Sequence, residues 1–530
     1  MAVNGRARLL AGAVMTFGGL LAIASPAAAK DCAQMAGQAL PQGKVTAATL
    51  VPAGGFKPAA LPEAPPGVAA TGFANLPAFC RIEATLKPSP DSDIKVEVWM
   101  PASGWNGKFV GIGNGGWAGS ISYFQLGEPL SRGYAVAATD TGHVGNALTG
   151  DWAAGHPEKL IDFGYRAVHD MTVAAKAAVS DFYGSGPRMS LWNSCSTGGR
   201  QGLMEAFRFP EDYDAISAMA PANPMTGLMT QSLWTGYQAV RSPGAKLTLA
   251  KLAVAHKAYI AKCDDKDGLK DGIASNPQAC KFDPAVVQCK AGDAADCLTA
   301  EQVQTLRAVY GGVRDPKTGK RLLSGWPAGS ELELSALMSG PEPFPIATSY
   351  MRALVFGSEK GWDFRSFDYG TDSARARDYG AKILDVDPRG LGPFFARGGK
   401  LLLSHGWTDG LIPANNTVAF YGTLSKSITA KQTQTQLRLF MIPGMNHCSG
   451  GEGPSSIDTL AAIDQWASSS KAPDRLIAAR LPGPLGAPEP KQPPMTRPLC
   501  AYPATDRYKG VGPADQADSF VCTRTKPKVG

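Results

Sequence analysis

The apolar positions of this chain change rhythm more than once. Residues 94–100 alternate apolar and polar side chains, the period of a half-buried strand. Short apolar runs at 108–113, 134–138, 189–192 and 215–220 stop at glycine, threonine or serine-rich turns and predict further strands. Between them, 168–182 and 201–207 carry apolar residues at helical spacing with few breakers. Strands that alternate with helices predict a parallel sheet with helices on both faces, an α/β architecture. After Pro221 the rhythm breaks. Residues 223–390 lack that alternation and hold four cysteines and many aromatic residues, the pattern expected of an inserted lid. Sheet rhythm returns at 400–404 and 437–442. Residues 30–90 are rich in Pro, Ala and Gly and are expected to form an irregular arm, and the Pro-rich tail from 482 to wrap the surface.

The chain starts as a secretory signal does. Arg6 and Arg8 precede an apolar run over 9–23, and Ala27-Ala28-Ala29 supplies a small-residue cleavage site, so the mature chain is expected to begin at Lys30. The expected organisation is a signal at 1–29, a first body segment at 30–222, a lid at 223–390 and a second body segment at 391–530. No second stretch is long and apolar enough to span a bilayer, so no membrane association is expected after cleavage. The chain has 52 basic and 45 acidic residues and no Lys/Arg run, which gives nucleic-acid binding no support. Ten cysteines behind a signal imply disulfides and a secreted or periplasmic location. Counting does not fix their connectivity. Cys263 with Cys280, Cys289 with Cys297, and Cys500 with Cys522 are candidate local pairs, and Cys32 with Cys80 would secure the arm.

Three positions carry the chemistry. Ser196 lies in Ser194-Cys195-Ser196-Thr197-Gly198-Gly199, between a predicted strand and a predicted helix. A nucleophile elbow needs that context, although Ser194 replaces the first glycine of G-x-S-x-G. Asp409 follows a strand in His405-Gly-Trp-Thr-Asp409, and His447 follows another in Pro443-Gly-Met-Asn-His447-Cys448. The chain order Ser, Asp, His is that of α/β hydrolases. His447 would take the Ser196 proton, and Asp409 would orient the imidazole and stabilise its cation. Cys195 precedes the nucleophile and Cys448 follows the base. A bond between them requires Cα atoms about 4.4–6.8 Å apart and would hold Ser196 close to His447. The expected oxyanion donors are the Thr197 amide and one from Gly113-Asn-Gly-Gly116, namely Gly115 or Gly116. The acidic loop 263–273 places Asp264, Asp267 and Asp271 among glycines, which suits a hard cation. His405 and Ile412 are expected to reach substrate. His143 and His169 are expected to be packing or hydrogen-bonding residues.

The Cys-Ser…Asp…His-Cys arrangement resembles the tannase and feruloyl esterase family. So do Trp105-Asn-Gly-Lys-Phe109, Thr139-Asp-Thr-Gly-His143, Tyr165-Arg-Ala-Val-His169 and Cys195-Ser-Thr-Gly-Gly-Arg-Gln-Gly202. The resemblance implies an α/β-hydrolase fold with a large inserted lid domain. It also implies five disulfides: Cys32–Cys80, Cys195–Cys448, Cys263–Cys280, Cys289–Cys297 and Cys500–Cys522. A structural Ca2+ in the lid is implied on the side chains of Asp264, Asp267 and Asp271 and the carbonyls of Leu269 and Ile273, with no organic cofactor. The implied partner is a small aromatic ester. The leading expectation is a serine esterase for feruloyl-type esters. The alternatives are galloyl esters (a tannase) or mono(2-hydroxyethyl) terephthalate, and, in another class, a non-catalytic calcium-stabilised binding protein. A lid cation, with Arg352 and Arg365 candidates by type alone, would favour the terephthalate ester. Polar groups for gallate hydroxyls would favour a tannase. The lid aromatics Phe344, Tyr350, Trp362 and Phe364 are expected to be mostly core, with a few at the acyl pocket.

Overall fold

The computed structural model describes residues 1–2, 30–58, 70–357, 359, 361–481 and 493–524. The expected signal, apart from its first two residues, lies outside the described residues, as do the first residues of the Pro-rich tail.

A ten-stranded sheet organises the chain, in the order β1-β2-β3-β4-β6-β5-β7-β8-β9-β10. Its antiparallel edge is β1 (Ala39–Leu40), β2 (Gly43–Val51), β3 (Phe79–Leu86) and β4 (Ile94–Pro101). The parallel part comprises β5 (Lys108–Gly111), β6 (Ala135–Thr139), β7 (Met189–Cys195), β8 (Ala215–Met219), β9 (Lys400–Gly406) and β10 (Leu437–Ile442). These six strands are almost wholly buried, as a sheet covered on both faces must be. One face packs on helices Ala167–Tyr183, Thr197–Arg208 and Ala414–Ser427, through residues such as Met171, Leu203 and Leu424. The other packs on helices Tyr123–Ser131 and Thr459–Ser469, through Leu126, Leu460 and Trp466.

Two expectations are corrected here. The segment 30–90 is not an irregular arm, because 43–51 and 79–86 are full members of the sheet. Their Ala- and Thr-rich pattern is weak by itself, and pairing of β2 with β3 and of β3 with β4 supplies the order. Strand β4 is also not half-buried, since only Lys95 is exposed. Between β8 and β9 the described residues form helices and loops without a strand. All five expected disulfides are present.

Candidate active site

Strands β7, β9 and β10 are parallel, so their C-terminal ends lie on one edge of the sheet, and Ser196, Asp409 and His447 follow those ends. Ser196 has φ 63° and ψ −127°, a conformation costly for a residue with a Cβ. It is enforced from both sides. The Ser196 amide donates to the Met219 carbonyl at 3.0 Å, and the Ser196 carbonyl accepts from Ala222 and Arg200. A Cβ on Gly198 would come 2.1 Å from Ser194 Oγ, and one on Gly199 2.6 Å from the Met219 carbonyl, so the turn needs both glycines. Ser194, the departure from the usual motif, has a function of its own: its hydroxyl accepts from the Gly113 amide at 3.3 Å.

Ser196 Oγ is 2.9 Å from His447 Nε2, and His447 Nδ1 is 2.8 Å from Asp409 Oδ2. Burial alone would raise the fully buried Asp409 carboxyl. The His447 charge, with hydrogen bonds to His405 and His447, overcomes burial and holds Asp409 well below the usual carboxylate range. For His447, burial works to lower the pKa, but Asp409 and then Glu333 outweigh it and raise it. Asp409 Oδ1 accepts the Leu411 and Ile412 amides at 2.9 and 2.8 Å, which fixes the carboxylate. The Cys195–Cys448 bridge, with Cα atoms 6.0 Å apart, joins the residue before Ser196 to the residue after His447.

Thr197 opens its helix, so its amide has no partner within that helix. Gly115, Gly116, Ser196 and Thr197 line one cavity. The Gly116 carbonyl accepts the Thr197 hydroxyl at 2.9 Å, and the Asn114 carbonyl accepts the Gly198 amide at 2.7 Å. Asn114 and Gln201 pair twice, at 3.0 Å each. The glycine loop is thereby tied to the helix that carries the nucleophile. Gln201 stands in the motif that runs from Cys195 to Gly202, but nothing in the sequence marks it as the partner of this loop.

The cavity, about 350 Å3, runs from Ser196 and His447 into the lid. Its walls are apolar, with Trp117, Met225, Leu228, Met229, Leu337 and Phe344 among them. Ile412 is among its lining residues. His405 is not among the residues that line the cavity. It is fully buried behind Asp409, with Nε2 3.0 Å from Asp409 Oδ2 and Nδ1 2.7 Å from Thr417 Oγ1, so the expectation that it touches substrate is corrected. Among the described residues no Lys or Arg lines the cavity; Arg352 is outside it and Arg365 pairs with Asp363. Phe344 reaches the pocket, whereas Tyr350, Trp362 and Phe364 pack in the lid core.

The acidic loop does not line this cavity. Asp264 accepts the amides of Asp271, Gly272 and Ile273 at 3.3, 3.0 and 3.2 Å. Asp267 accepts the Leu269 amide at 3.0 Å and the Ser275 hydroxyl at 2.6 Å. Burial raises both carboxyls. Asp271 pairs with the buried Arg497, which also stands 3.7 Å from Asp506. A donor set made only of oxygens, with two buried carboxylates and one guanidinium against them, fits a hard cation by chemistry. A different cluster, His169, Glu205 and Asp212, has ligand atoms within 4.8 Å of one another. Its 2.6 Å His169–Asp212 contact is a hydrogen bond, shorter than the about 3.3 Å between ligands of one tetrahedral zinc. His169 also stacks on Phe209, and His143 on Trp152, as hydrogen-bonding and packing residues do.

A serine hydroxyl on a strained strand-to-helix turn, aligned with a histidine and a buried aspartate at the ends of a parallel sheet, defines a serine hydrolase of the α/β-hydrolase class. The comparisons with known proteins agree and go further. The tannase and feruloyl esterase family matches residues 80–523, and the chain belongs to that family. An uncharacterized esterase of Xanthomonas campestris is 35% identical over 97% of this chain and 94% of its own length. A probable feruloyl esterase B-2 of Aspergillus terreus is 32% identical over 91% of this chain and 93% of its own. The crystal structure of feruloyl esterase B from Aspergillus oryzae is similar with a TM-score of 0.83 at 29% identity, covering 93% of this chain and 99% of that one. A tannin acyl hydrolase from Aspergillus niger, at 19% identity and a TM-score of 0.73 over 91% of this chain and 92% of that one, shares the fold.

Proposed function

We propose that this esterase hydrolyses esters of aromatic acids of the hydroxycinnamoyl type in two acyl-transfer steps. His447 takes the proton of Ser196, and Ser196 Oγ attacks the ester carbonyl. The negative charge on the carbonyl oxygen is met by the Thr197 amide and an amide of Gly115 or Gly116. His447 then gives its proton to the leaving alcohol. In the second step His447 activates a water, which releases the acid and restores Ser196.

The observation that carries the substrate class is the apolar pocket. Apart from Ser196, Thr197 and His447, Ser232 offers the polar side chain on its wall. An apolar ring with one phenolic hydroxyl suits it. Three gallate hydroxyls would leave groups unpaired at about 1–3 kcal/mol each. The free carboxylate of a terephthalate monoester would be desolvated with no cation opposite, which costs more. The relatives named as feruloyl esterases support the same reading. The test is a panel of methyl ferulate, methyl gallate, mono(2-hydroxyethyl) terephthalate and a short aliphatic ester. This reading predicts the highest kcat/KM for ferulate. A preference for gallate or terephthalate would overturn it.

Calcium at the lid loop belongs to the same proposal, with Asp264, Asp267 and Asp271 and the Leu269 and Ile273 carbonyls as its ligands. Bound there, it would supply charge balance to buried carboxylates and no step of the reaction. Export to an oxidising compartment is supported by the five disulfides, and no helix among the described residues is long and apolar enough to cross a membrane.

A further inference from the structure

Helix Glu331–Met338 of the lid touches the active site twice. Leu337 lines the acyl pocket. Four residues earlier, about one turn toward the N-terminus, Glu333 turns to the triad loops. Its Oε2 accepts the Gly410 amide at 2.7 Å and the His447 amide at 2.9 Å, and Oε1 accepts the His447 amide at 3.2 Å. Gly410 directly follows the triad acid, and His447 is the triad base. One lid carboxylate therefore holds the main chains of both loops. The fit is close: a Cβ on Gly410 would come 2.4 Å from the Leu334 amide nitrogen, so a larger residue there would push the acid loop off the helix.

We propose that Glu333 is a positioning residue that clamps the Asp409 and His447 loops in register and stabilises the His447 imidazolium formed during acyl transfer. This rests on the triad reading above. The same helix end is anchored independently. Glu331 Oε2 is 3.0 Å from His256 Nδ1, His256 Nε2 is 2.7 Å from Glu452 Oε2, and Glu331 also accepts from Tyr310. Glu452 lies five residues after His447, so the loop of the base is tied to the lid at two points. The charged and titratable groups acting on Glu333 are Asp409 and His447. Burial first, and then the Asp409 charge, push Glu333 up to about 7.

The test uses the full mature enzyme and a fluorophosphonate that labels Ser196, so that it reads the triad whatever the ester preference. Labelling rate and ester kcat and KM are followed against pH for wild type, Glu333→Gln and Glu333→Asp, with folding checked by circular dichroism. Glu333→Gln keeps the shape and one acceptor but removes the charge. Its labelling rate and kcat are expected to fall about tenfold or more with KM changed less than about threefold. Its acid limb is expected to move to lower pH, since His447 loses a group that favours its charged form. Glu333→Asp keeps the charge but shortens the reach, and is expected to slow the reaction while leaving the acid limb near the wild-type position. An unshifted limb and unchanged rate in folded Glu333→Gln would overturn the proposal. If Glu333→Gln does not fold, wild-type rates in Glu333→Asp would overturn it instead. Wild-type labelling without hydrolysis of any aromatic ester would count against the substrate reading alone.

Discussion

At the scale of single residues, the site is a set of costs held in place by neighbours. Ser196 keeps a left-handed φ because the Met219 carbonyl and two glycines leave the turn no other path. Asp409 remains a carboxylate in a buried site because two imidazoles meet its Oδ2 and two amides donate to its Oδ1. The sign of the pH dependence follows. Catalysis needs neutral His447, whose pKa is raised, so kcat/KM falls as pH drops through that value. Asp409→Asn removes the main group that raises it. The acid limb should then shift to lower pH, and kcat should fall about 10,000-fold, as for other triads that lose their aspartate. A profile of kcat/KM against pH for both proteins checks this. Ser232 gives a second prediction. Ser232→Ala should lower kcat/KM about tenfold for a phenolic acyl group and leave unsubstituted methyl cinnamate within about twofold, measured side by side. The triad was legible in the sequence because each member sits just past a strand in the required order. Glu333 was not, because an acidic residue in the first turn of a helix looks like an ordinary solvated helix start.

At the scale of elements, long-range pairing decides what local pattern leaves open. Strands β5 to β10 announce themselves as apolar runs. Strands β2 and β3 do not, because their order comes from partners apart in sequence: β2 pairs with β3 from Gly43 opposite Leu86 to Val51 opposite Phe79, and β3 pairs in turn with β4. The walls of the acyl pocket were hidden for a similar reason. Met225, Leu228 and Met229 are apolar residues on a helix, and only the position of the lid distinguishes them from core. The Cys195–Cys448 bridge is where an element-scale link enters the chemistry. It spans 253 residues of sequence and fixes the end of β7 against the loop after β10. Replacing both cysteines with alanine should cost about 2–4 kcal/mol of stability in denaturant unfolding. It should also lower kcat at temperatures where the variant is fully folded, because Ser196 and His447 lose a shared anchor. Full activity in that folded variant would separate the bridge from the chemistry.

At the scale of the molecule, the inserted segment and the sheet domain share the pocket: Met225, Leu228 and Leu337 come from the one, Trp117, Leu411 and Ile412 from the other. The acidic loop at 264–273 carries buried carboxylates that need compensation. Chelation with EDTA should therefore lower the melting temperature of the mature enzyme, and added calcium should restore it, since an ion bound to the folded state stabilises by mass action. Asp264→Asn should abolish that calcium response, and scanning calorimetry with and without chelator reads both. The strands β8 and β9 on either side of the inserted stretch were legible from their apolar runs, but the contacts of Glu333 with the triad loops were not.

The central claim is that Ser196 carries the acyl group. Intact-protein mass spectrometry after rapid acid quenching of the enzyme with methyl ferulate tests it most directly, with Ser196→Ala alongside. The account predicts a feruloyl adduct on the peptide that contains Ser196, and none, with no turnover, in the variant. Hydrolysis by Ser196→Ala at the wild-type rate, or an adduct on another residue, would contradict it.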